Sequence, residues 1–206
     1  ELTNIGSFEK CWRLIDNKWW LYKTGNQLEY FSELFIAKLA EKLGFPMAKY
    51  ELHDNYVRTL DFTNGNQFNF EVAESLVGDN EFYDVNFEKF YSISKDVAAD
   101  YLRMIYLDTI CSNVDRHTKN YGVLRDVNSG KIISLAPNYD NNIALISRGY
   151  PKSTNRENDK LIDFFLDLLR DVPKASELFN ELEIPVVTAD MINECIDEVG
   201  IDVEKD

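Results

Sequence analysis

The sequence is short of cations, cysteines, histidines and long apolar runs, and each shortage excludes a class of function. Its 22 lysines and arginines face 36 aspartates and glutamates, for a formal net charge of −14. Such a chain has no basic footprint for direct nucleic-acid binding, and no polybasic segment to hold it on an anionic membrane. Phosphate can be bound only where a few local cations and backbone amides overcome the general field. Cys11, Cys111 and Cys195 are an odd, widely spaced set without a CxxC pair. That argues against both a disulfide framework and a zinc site, and reads as reduced cysteines of a cytoplasmic protein. No signal-peptide core and no apolar run of about eighteen residues occurs, so a soluble intracellular protein is expected. The chain opens on Glu1 rather than Met, so its natural start is not assured.

What is present is a packed globular composition. Apolar residues make up 45% and aromatics 13% of 206 residues, enough for one large domain or two small lobes. "KCWRLIDNKWWLYKTG" predicts two strands turning at Asp16-Asn17, and "AKYELHDNYVRTLDFT" two more turning at Asp54-Asn55. Between them Leu28, Phe31, Phe35, Leu39 and Leu43 recur at helical spacing, with Gly44 and Pro46 as the stop. "SKDVAADYLRMIYLDTICSNV" predicts a long helix capped by Ser94 or Asp96. Short strands "YGVLRD" and "KIISLAPNYD" follow, joined by Asn128-Ser129-Gly130, and three helical patterns run from residue 158 onward. The expectation is an α+β chain with a small β-rich lobe over residues 1–65 and a larger, mainly helical lobe over 66–206. Trp12, Trp19 and Trp20 are expected to pack inside the small lobe. The acidic tail "CIDEVGIDVEKD" is expected to be a helix end with a solvated terminus.

One short stretch, "NVDRHTKNYGVL", crowds Asp115, Arg116, His117, Lys119 and Asn120 together in a chain with only 2 histidines. An Asp and an Asn five positions apart in a loop can converge on one small volume. Asp115 can accept the proton of an attacking hydroxyl, and Asn120 offers a neutral oxygen to a hard cation. This is the Asp-x-x-x-x-Asn spacing of a protein-kinase catalytic loop. Asp140 follows twenty residues later, at the end of a strand-like run, where a carboxylate can hold a phosphate-bridging metal. Lys23 closes the strand "WWLYK" and Glu33 lies on the next helix, the order of the kinase lysine–glutamate pair. Each residue alone has a plainer reading, as a polar turn, a turn former, a strand-end lysine or a surface helix glutamate. Four together, in this order, are far more specific.

With "LAPNYD", "TNIGSFEK" and "SELFIAKLAEKLGF", the stretch resembles the HipA-like serine/threonine kinases, the bacterial toxin kinases and their CtkA-type relatives. The resemblance covers most of the chain and implies a bilobal protein-kinase-like fold that uses ATP and Mg²⁺. It implies Lys23 on the nucleotide phosphates, Glu33 paired with it, Asp115 as the catalytic aspartate, and Asn120 and Asp140 as metal ligands. Gly6 and Ser7 fall in the implied phosphate loop, and Leu60, Asp61 and Phe62 fall where adenine would meet the backbone. His117 is a second proton-acceptor candidate or a loop-holding residue, and Lys119 a γ-phosphate contact or a solvated lysine.

The departures matter as well. No GxGxxGxV loop exists, so Lys10 or the hydroxyls of Thr3 and Ser7 would have to help grip phosphate. Asn141-Asn142 stand after Asp140 where typical eukaryotic kinases have Phe-Gly. The resemblance also implies autophosphorylation at Thr3, with Ser7 as second candidate, and phosphate there would repel the nucleotide. A protein Ser/Thr substrate and a small DNA-binding antitoxin are the implied partners. Substrate docking is expected among the loops after Asn141, where the basic cluster Arg148, Lys152 and Arg156 either binds an acidic substrate or only offsets the surrounding charge, the second reading being slightly favoured. The alternatives are a small-molecule or phosphoinositide-type kinase, or a non-catalytic nucleotide-binding partner module.

Overall fold

The computed structural model describes residues 2–3, 9–148 and 159–202. Strands β1 (Leu2–Thr3), β2 (Lys10–Ile15), β3 (Lys18–Lys23), β4 (Tyr50–His53) and β5 (Tyr56–Leu60) form an antiparallel sheet in the order β1-β2-β3-β5-β4. The β2–β3 turn falls at Asp16-Asn17, both at positive φ (49° and 60°). That pair of left-handed residues matches the twist of a tight hairpin. Its register sets Lys10 directly opposite Lys23.

Helix α1 (Gln27–Lys42) crosses between β3 and β4. Asn26 starts it with a reciprocal cap: its Oδ1 accepts from the Leu28 and Glu29 N–H groups at 2.9 and 3.0 Å, and Glu29 accepts from the Asn26 N–H at 2.8 Å. Gly44 at φ 70° ends it, a backbone conformation that glycine adopts without strain.

Residues 66–93 hold elements with little periodic signal: β6 (Phe68–Val72), α2 (Glu74–Val77) and α3 (Tyr83–Ile93). β6 joins β7 (Gly122–Asp126) and β8 (Ile132–Leu135) in a second antiparallel sheet. Gly122 is needed there, because a Cβ would collide with the Glu71 carbonyl across the β6–β7 pair. Helix α4 (Lys95–Ile110) is capped by Ser94, whose hydroxyl accepts from the Val97 N–H at 3.1 Å, so Ser94 and not Asp96 is the cap. A 3-10 turn (Leu145–Arg148) precedes α5 (Asp159–Asp171), α6 (Pro173–Glu181) and α7 (Ala189–Val199).

Two cores result. Phe87, Phe90, Tyr101, Leu102 and Ile105 centre one beneath α3 and α4. Phe35, Ile36, Leu39, Val57 and Cys195 centre the other, between α1, the first sheet and α7. The acidic stretch forms the end of α7, as expected, and one face of it is packed: Cys195 and Val199 are buried against α1, and Glu194 and Glu198 each bond Lys42 at 2.9 Å. The tryptophans also divide, because strand alternation turns Trp20 inward (6% exposed) and Trp19 outward (43%). Among the described residues no cysteine is in a disulfide, and no helix is long and apolar enough to cross a membrane.

Candidate active site

Three charged side chains meet where the first sheet faces the loop after β8. Lys23 comes from the end of β3, Glu33 from the inner face of α1 and Asp140 from the loop. The Lys23 ammonium lies 2.7 Å from Asp140 Oδ1 and 3.5 Å from Glu33 Oε1. Lys23 and Glu33 are buried, at 6% and 2% exposure. Burial alone would lower the Lys23 pKa, but the charges of Glu33 and Asp140 outweigh it and raise it. Burial would likewise raise Asp140, yet Lys23, with Lys10 and Arg116 further off, holds its carboxyl below the usual range. Both groups are therefore charged near neutral pH. Asp140 sits at φ 62°, an uncommon conformation for a residue with a side chain. Its N–H donates to the Tyr50 hydroxyl at 3.0 Å, and the Asn141 N–H to Glu33 at 3.4 Å. Burial, reinforced by Glu33 and Asp140, pushes the Tyr50 phenol well above its ordinary pKa, so it stays neutral.

A second cluster holds the crowded loop in place. The Arg116 side chain is buried, and its five N–H groups face six acceptors at 2.7–3.0 Å, with three of them shared by the two hydrogens of Nη2: both Asp108 oxygens, the Asn120 and Tyr139 carbonyls, and the Asn138 and Asn141 side chains. Asn113 adds bonds to Asp108 at 2.9 Å and to Asn141 at 3.2 Å. One guanidinium thus ties the loop carrying Asp115 and Asn120 to the segment carrying Asp140. Asp108 stands a helical turn from Met104 and Ile105 on the buried stripe of α4. A carboxylate on an apolar stripe was the signal that could have revealed it.

Asn120 donates through Nδ2 to the Asp115 carbonyl at 3.0 Å, which leaves its Oδ1 for another partner. His117 is exposed, and its Nδ1 accepts from the Lys119 N–H at 3.2 Å. It ties the loop as an acceptor, not through a bond to a carbonyl. The Lys119 ammonium lies 3.2 Å from Glu74.

An apolar slot of about 270 Å³ opens beside Lys23. Trp12, Leu21, Leu60 and Phe62 line it together with an aromatic base of Phe70 and Tyr139. Phe62, Phe70 and Tyr139 pack with centroids 5.6–5.8 Å apart. Trp12 therefore forms a wall of the slot and is not a core residue. Thr59 also lines the slot, 6% exposed, and its hydroxyl has no hydrogen-bond partner among the described residues. The expected backbone contact through Leu60 and Asp61 needs correction for their donors. The Leu60 N–H already bonds the Lys49 carbonyl and the Asp61 N–H the Trp19 carbonyl, both at 2.9 Å. The Asp61 carboxylate instead accepts from the Thr63 N–H at 2.9 Å, closing a turn. Gly6, Ser7, Lys152 and Arg156 lie outside the described residues, as do the side chains of Thr3 and Arg148.

The chain resembles known structures at low identity. Its fold is similar to that of the crystal structure of the Helicobacter pylori proinflammatory kinase CtkA, with a TM-score of 0.60, 18% identity, and coverage of 92% of this chain and 89% of that one. It is also similar to HipA of Shewanella oneidensis MR-1, solved with HipB and operator DNA, with a TM-score of 0.52 and 14% identity over 96% of this chain. The chain spans 63% of that HipA. No curated protein sequence matches it. The fold is thus mixed α/β, with two antiparallel sheets and a kinase-like arrangement shared with both neighbours. The sequence matches the HipA-like C-terminal domain over residues 12–205, nearly its whole length, and on that match the chain belongs to the HipA-like C-terminal domain family.

Proposed function

We infer that the chain is an ATP- and Mg²⁺-dependent serine/threonine protein kinase of the HipA-like type. The observation that carries this reading is the buried Lys23–Glu33–Asp140 cluster at the edge of the apolar slot. A planar base fits among Phe62, Phe70 and Tyr139, and its phosphates then reach the Lys23 ammonium. Lys10, opposite Lys23 in the hairpin, adds a second cation where glycine-loop amides are lacking. Thr59 offers its free hydroxyl to the base. The boundary between the lobes falls between residues 65 and 66 in this reading, with the slot between them.

Mg²⁺ fits the residues present. Asp140 Oδ2 and Asn120 Oδ1 accept no hydrogen bond among the described residues, and both are hard oxygens. No group of three or more His, Cys, Asp or Glu among the described residues would hold a metal alone, so phosphate oxygens and water must complete the shell. When bound, the ion neutralises charge on the transferring phosphoryl group. Asp115 takes the proton of the acceptor hydroxyl as its oxygen bonds the γ-phosphorus and the bond to the ADP oxygen breaks. Arg116 holds Asp115, Asn120 and Asp140 in one frame.

Autophosphorylation at Thr3 or Ser7, a small DNA-binding antitoxin as partner, and a cytoplasmic location belong to the same reading. Intact mass after incubation with MgATP tests its centre. The expected result is a gain of one or more phosphates, reduced by about 10²–10⁴-fold in rate in Asp115→Asn. Asp115→Asn should keep its MgATP-induced rise in melting temperature, because Asp115 acts on the acceptor and not on the nucleotide. A rise in both proteins without any transfer would favour a non-catalytic nucleotide-binding module.

A further inference from the structure

A second hollow of about 270 Å³ begins at Asp115 and His117 and reaches Tyr83 and Phe164. It shares no lining residue with the slot beside Lys23. At its far end it meets another hollow of about 430 Å³, between the start of α3 and the body of α5. Glu81, Tyr83 and Phe164 line both, so the two form one trough that starts at the proposed base.

The floor of the trough is largely apolar; its inner part is lined by Arg116 and Lys160 as well as Glu81 and Asp115, and its outer rim is acidic. Tyr83 and Phe164 meet edge to face, with centroids 6.1 Å apart. Phe164 is 36% exposed and its neighbour Phe82 66%, and the Lys160 ammonium lies over the Phe164 ring, 5.2 Å from its centroid, so Phe82 carries most of the aromatic surface left to water. Glu81, Asp84, Asp167 and Asp171 stand exposed around the outer part. Arg170 bonds Asp167 and Asp171, at 2.7 Å each, whereas Glu81 and Asp84 form no ion pair among the described residues. In the inner wall Asn86 is 3% exposed, and its Oδ1 has no hydrogen-bond partner among the described residues. Such an atom can take a donor from water or from an occupant.

Resting on the kinase reading above, we propose that this trough receives the acceptor polypeptide and selects a cationic one. The segment it fits has an apolar side chain beside the phosphorylated hydroxyl, seated on Tyr83 and Phe164. Its cationic residues lie further out, against the acidic rim. Phe164 and Asp171 are seven positions apart on α5, which is about 10 Å along the helix axis. An extended peptide covers that in about three residues. The hydroxyl then lies at Asp115 with the positive side chains about three residues beyond the apolar one. A nucleotide, a phosphoinositide or an acidic peptide would meet repulsion along the same rim.

Fluorescence anisotropy with short labelled peptides tests the trough without requiring turnover. Each peptide carries a serine beside a leucine, followed after a short spacer by a run of lysines, glutamines or glutamates. The lysine peptide should bind at least about tenfold more tightly than the glutamine peptide, and the glutamate peptide least. Glu81→Lys combined with Asp171→Lys should abolish that preference. Glu177→Lys combined with Asp197→Lys, the same charge change on exposed positions of α6 and α7, should retain most of it. Phe164→Ala should weaken the lysine and glutamine peptides alike. Equal loss in the two double variants would show that net charge alone attracts the peptide, and would overturn the trough. So would the absence of any lysine preference in the unaltered chain. Lysine-selective binding without phosphate transfer would count against the kinase reading alone, and transfer without lysine selectivity against the trough alone.

Discussion

Two buried charge clusters lie on either side of Asp140, and they differ in how completely their hydrogen bonds are used. Around Arg116 every guanidinium N–H has an acceptor and both oxygens of Asp108 are bonded, while the amide nitrogens of Asn138 and Asn141 have no partner among the described residues. Around Lys23 one ammonium serves two carboxylates, and Asp140 Oδ2 accepts nothing among the described residues. A fully bonded ion pair such as Arg116–Asp108 can only hold elements together, because a ligand would have to displace a bond already made. An unsaturated one beside a cavity keeps capacity for a ligand. The contrast distinguishes scaffold from site without reference to any relative.

The largest expected effect breaks the scaffold. Arg116→Met strands the Asp108 carboxylate and two carbonyls in the interior, and should cost about 3–5 kcal/mol of stability. Denaturant titration would measure it, and a loss under ~1 kcal/mol would show that water replaces the guanidinium. Lys23→Met leaves Glu33 and Asp140 without their cation, so it should lower stability as well as ligand binding. MgATP should no longer raise its melting temperature, and transfer should fall by about 10²–10³-fold, the usual loss when one preorganised charge donor is removed.

pH should sharpen the same contrast. Asp140 has a depressed pKa in the folded protein, so its contribution is present above the ordinary aspartate value of 3.8 and is lost as pH falls through the lower folded value. Lys23 has a raised pKa, so its contribution is complete below the ordinary 10.5 and is lost as pH rises through the higher folded value. The cluster's contribution should be level between those limits. Asp140→Asn should flatten the acid limb of a plot of denaturation midpoint against pH. The smallest effect is at Thr59→Val, which removes an unpaired buried hydroxyl. Stability should stay constant or rise by up to ~1 kcal/mol, while nucleotide affinity, followed by calorimetry, falls by less than about tenfold.

Much of this site is carried by local chemistry that a sequence displays. Asp16-Asn17 takes the left-handed conformation that a two-residue hairpin demands, and that turn sets the strand that ends at Lys23. Glu33 is on α1 because Asn26 and Glu29 form a recognisable capping box and Gly44 a recognisable stop. The stretch from 66 to 93 was not legible for equally local reasons. β6 pairs with a strand at least fifty positions later, the shortest step being Val72 to Gly122, and α3 has Phe82 at its N-cap without a side-chain cap. The packing of the last helix on α1 was not legible either, because Lys42 lies 152 and 156 positions from Glu194 and Glu198.

The sequence by itself determined the hairpin turns, the helix ends and the order Lys23, Glu33, Asp115, Asn120, Asp140, since these depend on neighbours within a few residues. Only the tertiary structure decided that Arg116 is a buried tie and not a surface cation, and that Trp12 faces a slot while Trp20 is packed. It alone joined two hollows into an acidic trough beginning at Asp115. These outcomes depend on burial and on partners far apart in the chain, such as Lys23 with Asp140, 117 positions away. A side chain's charge is written in the sequence, but its desolvation and its saturation by partners are set only when distant segments close around it.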